Sequence, residues 1–280
     1  MIDIILATYN GEKYLSEQMD SIVSQTYFEW RLLIHDDGSL DQTVDIIKKY
    51  QRNYPTKILF VDDGIKGLGV KDNFAHLMTL ATSDYIMFCD QDDIWFNYKI
   101  EKSLELLKRI ESSVGTSTPI GVFSDLNVVG EELAPIAESM WTYIRVSPRF
   151  AESIKYLAIR NCVIGCTMMI NKYALKLSLP IPKEAVMHDW WVGLVILKNN
   201  GYLLPLPQPT ALYRQHGSNV VGAREFSIIK SVQNSLKLSK FFEKQEHIFR
   251  MSKKIGAIRN RPLYALMKFY VLISIFLKKL

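Results

Sequence analysis

The sequence predicts an α/β chain: a mostly parallel central sheet flanked by helices, with a basic helical extension at its C-terminal end. Three observations carry this. Short apolar runs alternate with segments of helical periodicity, the rhythm of right-handed crossovers onto a parallel sheet. Three of those runs end in polar clusters, Thr8-Tyr9-Asn10, Asp36-Asp37-Gly38-Ser39 and Asp90-Gln91-Asp92-Asp93. Finally, the charge divides unevenly. The 280 residues carry +5, and the 12 Lys/Arg and 2 Glu from Phe226 to Leu280 give that segment +10, leaving −5 for the first 225 residues.

Ile2 to Ala7 is an apolar strand candidate closed by turn residues. Tyr14, Leu15, Met19, Ile22 and Val23 then fall near helical spacing. Trp30 to Ile34 is a second strand, after which Ser39 and Gln42 form a capping box for a helix through Tyr50. Ile58 to Val61, a helix over 70–81 and the run Tyr85 to Cys89 continue the alternation. The last of these is continuously apolar, as a strand covered on both faces must be. Tyr98 to Ile110 has Ile100, Leu104, Leu107 and Ile110 on one face, and Ile120 to Val129 is a strand interrupted by Asp125. Glu138 to Phe150 has no clear period and reads either as a flap or as a surface helix. Val163 to Ile170 is a strand broken by Gly165, where the missing side chain permits close approach of a neighbour. His188 to about Asn199 is a helix, and a strand ends near Ala211.

Composition narrows the function. Apolar and charged fractions are those of a globular chain. Cys89, Cys162 and Cys166 form no disulfide framework and read as reduced core residues, consistent with a cytoplasmic protein. No secretory signal is read at Met1-Ile2-Asp3-Ile4. Neither a dinucleotide fingerprint nor a phosphate loop is present, since Gly67-Leu68-Gly69 is followed by Asp72. Nucleic acid is not an expected partner.

The three polar clusters follow strand carboxyl ends, which line the ligand crevice of an open α/β sheet. Three carboxylates among Asp90, Asp92 and Asp93 repel one another unless a cation relieves them. Mg²⁺ or Mn²⁺, with oxygen ligands and a substrate phosphate, suits such a site.

Taken with Asn161-Cys162-Val163-Ile164-Gly165-Cys166-Thr167, His188-Asp189-Trp190-Trp191 and Tyr213-Arg214-Gln215-His216-Gly217-Ser218-Asn219, these clusters resemble family 2 glycosyltransferases of the GT-A fold, in their bacterial rhamnosyltransferase-like branch. The resemblance runs from about Ile2 to Gly222. It implies an inverting, metal-dependent transfer from a pyrimidine nucleotide sugar, dTDP- or UDP-linked, with rhamnose as the branch-level expectation. Thr8, Tyr9 and Asn10 would lie against the nucleotide, with Asp36 on the base, Asp37 beside it and Asp90 by the ribose. Asp92 and His216 would hold the metal. Asp189 would be the general base, Asp93 would support Asp92 or touch the sugar, and Arg214 would face the diphosphate. Trp190 and Trp191 would wall the acceptor sugar or simply pack. The acceptor would be a lipid-linked surface polysaccharide.

The implied organisation is a catalytic domain over 1–222, with a nucleotide-binding half to 95 and an acceptor-binding half from 96, then a basic amphipathic extension over 223–280. Leu263 to Leu277 contains Lys268 and is short of a span of ~20 residues. It reads as an interfacial helix at an anionic membrane surface, the inner face of a bacterial cell membrane. Packing on the catalytic domain or a second subunit of a homodimer is the competing reading. Two other functions compete: a sugar nucleotidyltransferase, which should carry a glycine-rich nucleotide loop, and a non-catalytic nucleotide-sugar binding module, which should lack the base or a metal ligand.

Overall fold

The computed structural model describes residues 1–217 and 238–276. Ser218, Asn219, Lys237, Leu277 and the boundary drawn at 222 lie outside them. Nine strands form one sheet: β1 (Ile2–Thr8), β2 (Trp30–Asp36), β3 (Ile58–Val61), β4 (Tyr85–Cys89), β5 (Ile94–Trp95), β6 (Ile120–Val129), β7 (Pro135–Ala137), β8 (Met169–Asn171) and β9 (Tyr202–Arg214). Their order is β3-β2-β1-β4-β8-β6-β9-β5, with β7 on β6. The β3-β2-β1-β4 half is parallel, and so is β6 with β9, whereas β8 runs antiparallel to both β4 and β6.

Helices α1 (Leu15–Val23), α2 (Thr43–Asn53), α3 (Val70–Leu80) and α4 (Lys99–Val114) make the crossovers of the first half. They cover both faces, so β1 is buried at every residue but Ala7, and Ile4, Ile5 and Leu6 are fully enclosed. The expected capping box at α2 does not form. The Ser39 hydroxyl is drawn to Asp36, and Asp41 instead accepts from the backbone N–H of Thr43 at 3.0 Å.

The second half adds α5 (Met140–Tyr143), α6 (Ile154–Ile159), α7 (Lys172–Ser178) and α8 (His188–Lys198). Glu138 to Phe150 is no flap. Met140, Trp141, Val146 and Phe150 are buried, and Asp125 of β6 ties the segment down by accepting from Ser139 Oγ and the Trp141 N–H. The strand expected over Val163 to Ile170 is mostly a 3₁₀ turn, Gly165–Thr167, leading into the short β8.

Two further helices, α9 (Leu238–Lys254) and α10 (Arg261–Phe276), pack on α6. Ile248, Phe249, Met251, Ile258, Tyr264 and Val271 are buried in the larger core cluster. The catalytic-domain packing foreseen as an alternative is therefore present. The outer side of α10 still exposes Leu266, Phe269, Leu272 and Ile273. Among the described residues no helix is long and apolar enough to cross a membrane.

Candidate active site

One cavity of about 1160 Å³ runs along the carboxyl ends of β1, β2 and β4 and on beneath α8, α9 and α10. It exceeds the 300–1,000 Å³ usual for a single small ligand. It is lined by Thr8, Tyr9, Asn10, Asp37, Asp90, Asp92, Asp189, Trp190 and His216, all expected from the sequence.

The end of the cavity at β1, β2 and β4, where the nucleotide was expected, is built by loops that hold one another. Gln91, the middle residue of the acidic motif, bridges to Tyr9: its Oε1 accepts from the Tyr9 N–H at 2.9 Å and its Nε2 donates to the Tyr9 carbonyl at 3.0 Å. A Cβ on Gly11 would stand 2.5 Å from Gln91 Oε1, so the glycine makes room for this clamp. Asn10 sits at φ 48°, a left-handed conformation that Asn tolerates better than most residues. It ties β1 to β2, receiving a bond from Leu40 N–H at 2.9 Å and donating its own N–H to Ser39 Oγ at 2.8 Å.

Asp36 does not face the cavity. Its carboxylate accepts from Thr8 Oγ1 at 2.9 Å, Ser39 Oγ at 2.6 Å and the Gly38 and Ser39 N–H groups at 3.1 and 2.7 Å. Those four donors saturate it as the organiser of the turn. Asp37, one residue on, reaches the cavity wall while accepting from Leu68 and Gly69 N–H at 2.7 and 2.8 Å. The sequence missed this exchange because two adjacent aspartates offer the same chemistry and only the backbone decides which turns in.

Beneath the motif lies a layer of buried acids. Asp90 is raised well above the usual carboxylate range, by burial first and then by the charges of Asp93, Asp92 and Asp189. Burial and Asp92 push Asp93 up to about 7. Lys99, fully buried, is the counter-charge below them; its Nζ donates to the Cys166 carbonyl at 2.6 Å and lies 4.0 Å from the centre of the Trp95 ring. The expected sugar contact of Asp93 is overturned by its complete burial. It accepts from the Arg214 N–H at 3.4 Å and faces the Cys166 thiol, so it acts as a support.

Arg214 is likewise turned inward. Its guanidinium pairs with Glu17, donates to the carbonyls of Glu131 at 2.7 Å and Asp92 at 3.2 Å, and stacks over Tyr14. It fixes the backbone of the acidic loop instead of facing a diphosphate. The cation on the cavity at this end is Lys13, paired with Glu131.

Asp92 and His216 meet across the cavity, Oδ2 to Nε2 at 2.8 Å. Neighbouring ligands of an octahedral cation with bonds of about 2.1 Å stand about 3 Å apart, so this pair fits a divalent ion. The negative potential that raises Asp90 and Asp93 fits it as well. The group of Asp90, Asp93 and Cys166, whose ligand atoms lie within 4.8 Å of one another, suits a hard cation less, because its thiol is held protonated by burial.

Asp189 opens α8 on the opposite wall. Its Oδ1 accepts from the Trp190 N–H at 2.7 Å and its Oδ2 from Asn161 Nδ2 at 3.3 Å. Burial pushes its carboxyl up to about 6. A Cβ on Gly165 would press on His188 and Asp189 at 3.2 and 3.4 Å, which identifies the neighbour that glycine admits. His188 is stacked on Phe74 at 4.0 Å, has both ring nitrogens unbonded and is pushed down to about 3 by burial. It is a neutral packing residue. Trp190 lines the cavity with its indole N–H held by the Leu157 carbonyl, but Trp191 does not; it packs on α7, donating to the Ser178 carbonyl at 3.1 Å.

The sequence profile of glycosyl transferase family 2 matches residues 3–177. The chain belongs to that family. It is 29% identical over 245 residues to the dTDP-rhamnosyl transferase RfbG of Shigella flexneri, covering 86% of this chain and 81% of that protein. It is 28% identical to the UDP-Glc:alpha-D-GlcNAc-diphosphoundecaprenol beta-1,3-glucosyltransferase WfgD of Escherichia coli, over 71% of each. Two solved structures share the fold. TarS of S. aureus in complex with UDP-GlcNAc superposes with a TM-score of 0.58 at 16% identity, over 78% of this chain and 59% of that one. The mannosyltransferase PcManGT from Pyrobaculum calidifontis, in complex with GDP-Man and Mn²⁺, gives 0.59 at 13% identity, over 98% and 80%. The fold is GT-A, and this family 2 enzyme is a rhamnosyltransferase-like glycosyltransferase that transfers a sugar from a nucleotide sugar. The nucleotidyltransferase and binding-module readings fall with that assignment.

Proposed function

We propose that this glycosyltransferase inverts the anomeric carbon, using Asp189 as general base and a divalent ion held by Asp92 and His216. The observation that carries the reading is the placement of Asp189 and the Asp92–His216 pair on one continuous cavity. Mn²⁺ or Mg²⁺ at that pair would offset the negative charge that grows on the departing diphosphate, acting where charge develops.

The chain's own residues account for the rest. Tyr9, Asn10 and Asp37 line the nucleotide end, and Asp37 retains acceptor capacity toward a base N–H, the role the resemblance gave to Asp36. Asp189 accepts the acceptor's hydroxyl proton while that oxygen bonds to the anomeric carbon and the bond to the diphosphate breaks. A carboxyl near 6 is mostly ionised at neutral pH yet basic enough to take a proton, which suits the task. Asn161 and the Trp190 N–H hold its two oxygens in place.

The donor we propose is a pyrimidine nucleotide sugar, dTDP-rhamnose first, on the strength of the likeness to RfbG. The acceptor we propose is a saccharide on a lipid diphosphate at the cytoplasmic face of a bacterial membrane, supported by the likeness to WfgD, whose name states a diphosphoundecaprenol-linked acceptor. The exposed apolar side of α10, flanked by Arg259 and Arg261, supports peripheral attachment.

A thermal-shift panel of nucleotide sugars with and without Mn²⁺ tests the reading, because a bound ligand raises apparent stability by mass action. dTDP-rhamnose should stabilise the protein only with metal, and His216→Ala should remove most of that dependence. A metal-independent shift of equal size in both proteins would refute the assignment of Asp92 and His216.

A further inference from the structure

Beyond Asp189 the same cavity changes sign. Arg160, which follows α6, Lys244 of α9 and Lys268 of α10 all line its far end. Three separate elements, one of them about eighty residues before the other two, thus each deliver a cation to the same cavity. Among the described residues no carboxylate pairs with any of them: Arg160 donates only to the Ile144 carbonyl at 2.9 Å, and the nearby Glu246 is taken by Arg250 and Arg261. Lys268 is pushed down to about 8, first by burial and then by the charges of Arg160 and Lys244. Like charges gathered in a partly enclosed site are unfavourable unless an anion joins them.

The donor's diphosphate belongs at the other end, by Asp92 and His216, with Asp189 between. An anion at the basic end therefore arrives with the acceptor. Phe241, Ile248 and Ile144 line the wall there along with Gln245, and Lys268 sits on the helix whose outer side exposes Leu266, Phe269 and Ile273. A group entering past α10 meets a greasy surface first and a cluster of cations second.

We infer that Arg160, Lys244 and Lys268 form a subsite for the diphosphate of a prenyl-lipid-linked acceptor, with the lipid leaving along α10. This rests on the proposed reading of the reaction, and it assigns acceptor recognition to residues outside the catalytic set. Ammonium groups and a guanidinium give charge-assisted bonds to phosphate oxygens, which are stronger than neutral ones.

The test uses the full chain and farnesyl diphosphate, below its micelle concentration, as the probe. EDTA is present, so that no divalent ion can carry the probe's diphosphate to Asp92 and His216. Wild-type protein should bind it, and Lys244→Gln and Lys268→Gln should each weaken binding about tenfold. Lys244 is exposed, so its replacement leaves the fold intact whatever happens at Lys268. Farnesol should bind much more weakly in wild type and be indifferent to both substitutions. Equal binding of farnesyl diphosphate by wild type and both variants overturns the subsite. Inorganic pyrophosphate binding as tightly as the prenyl probe overturns its lipid character. Nucleotide-sugar shifts with Mn²⁺, measured on the same proteins, keep the two readings apart: they should be unchanged in both variants, and their absence in wild type would count against the donor site alone.

Discussion

Replacing Asp189 with Asn should abolish transfer and at the same time stabilise the protein. The carboxyl is pushed from 3.8 to about 6 by burial. At about 1.4 kcal/mol per pH unit, keeping it ionised at pH 7.5 costs about 3 kcal/mol. An amide of the same shape is spared that. It retains an oxygen for the Trp190 N–H but sets its own NH₂ against Asn161 Nδ2, whose partner oxygen is already engaged by the Val163 N–H at 3.0 Å. The lost bond returns about 1 kcal/mol, leaving a gain of about 2 kcal/mol, or about 4 °C in Tm for a chain of this length. The sign follows from proton binding. Native Asp189 holds its proton more tightly than the unfolded chain, so wild type loses stability as pH rises from 3.8 through about 6. The Tm advantage of Asp189→Asn should therefore be full at pH 7.5 and vanish toward pH 4, in EDTA, by scanning fluorimetry. Turnover should fall about 10³-fold or more, with the metal-dependent donor shift kept. Retained turnover would refute the base, and a Tm difference independent of pH would refute the buried, ionised carboxylate.

Asp37→Asn should weaken donor binding about tenfold with little change in Tm, whereas Asp36→Asn should lower stability by about 2 kcal/mol, since an amide nitrogen would face donors on every side; equal effects in a donor titration would restore the base contact to Asp36. Gly11→Ala should leave the fold intact, because the atom in its way is the end of a flexible side chain. It displaces the Gln91 clamp, and donor KM should rise severalfold at unchanged Tm. Leu266→Glu with Phe269→Glu should abolish sedimentation with vesicles rich in anionic lipid while transfer to a soluble acceptor persists; binding that survives would place attachment elsewhere.

The first half of the fold was legible because its strands are covered on both faces. Continuous apolar runs ending in polar clusters have few other readings, and β1, β2 and β4 arrive where those runs lie. The second half was not, because β8 is three residues long and its antiparallel pairing with β4 and β6 has no local signature. Within the site, motif position placed Asp92, Asp189 and His216 on the cavity, because where they lie is set by where a strand or helix ends. It did not tell that Asp36 and Arg214 turn into the protein, nor decide between the two readings left open for Asp93 and Trp191, which are buried as support and packing. Side-chain direction after a strand depends on turn geometry, and a residue's type is silent about it. Lys13 and Glu131 were missed for the opposite reason, being ordinary surface residues until the fold brings them to the cavity, and Asn161 stood in a motif without a role until its bond to Asp189 was seen.

The inward-turned residues explain why the acidic motif survives without a glycine cradle. Asp90, Asp92 and Asp93 would drive one another apart if nothing lay behind them. Lys99 supplies charge from below, Arg214 grips the Asp92 carbonyl, and Gln91 fastens the loop to Tyr9. Those three contacts hold the carboxylates together, and on the proposed reading a cation arriving with its diphosphate would relieve the repulsion that is left. The same logic runs in reverse at the far end, where Arg160, Lys244 and Lys268 stand together with no acid paired to them among the described residues. A cavity that is overloaded with negative charge at one end and positive charge at the other has unequal affinity for its two substrates' ends. On the proposed reading, a metal-bearing donor and an anionic acceptor would each be drawn to one side of Asp189 and repelled from the other. Orientation of both reactants across the proposed base would then follow from electrostatics before any sugar hydroxyl is recognised.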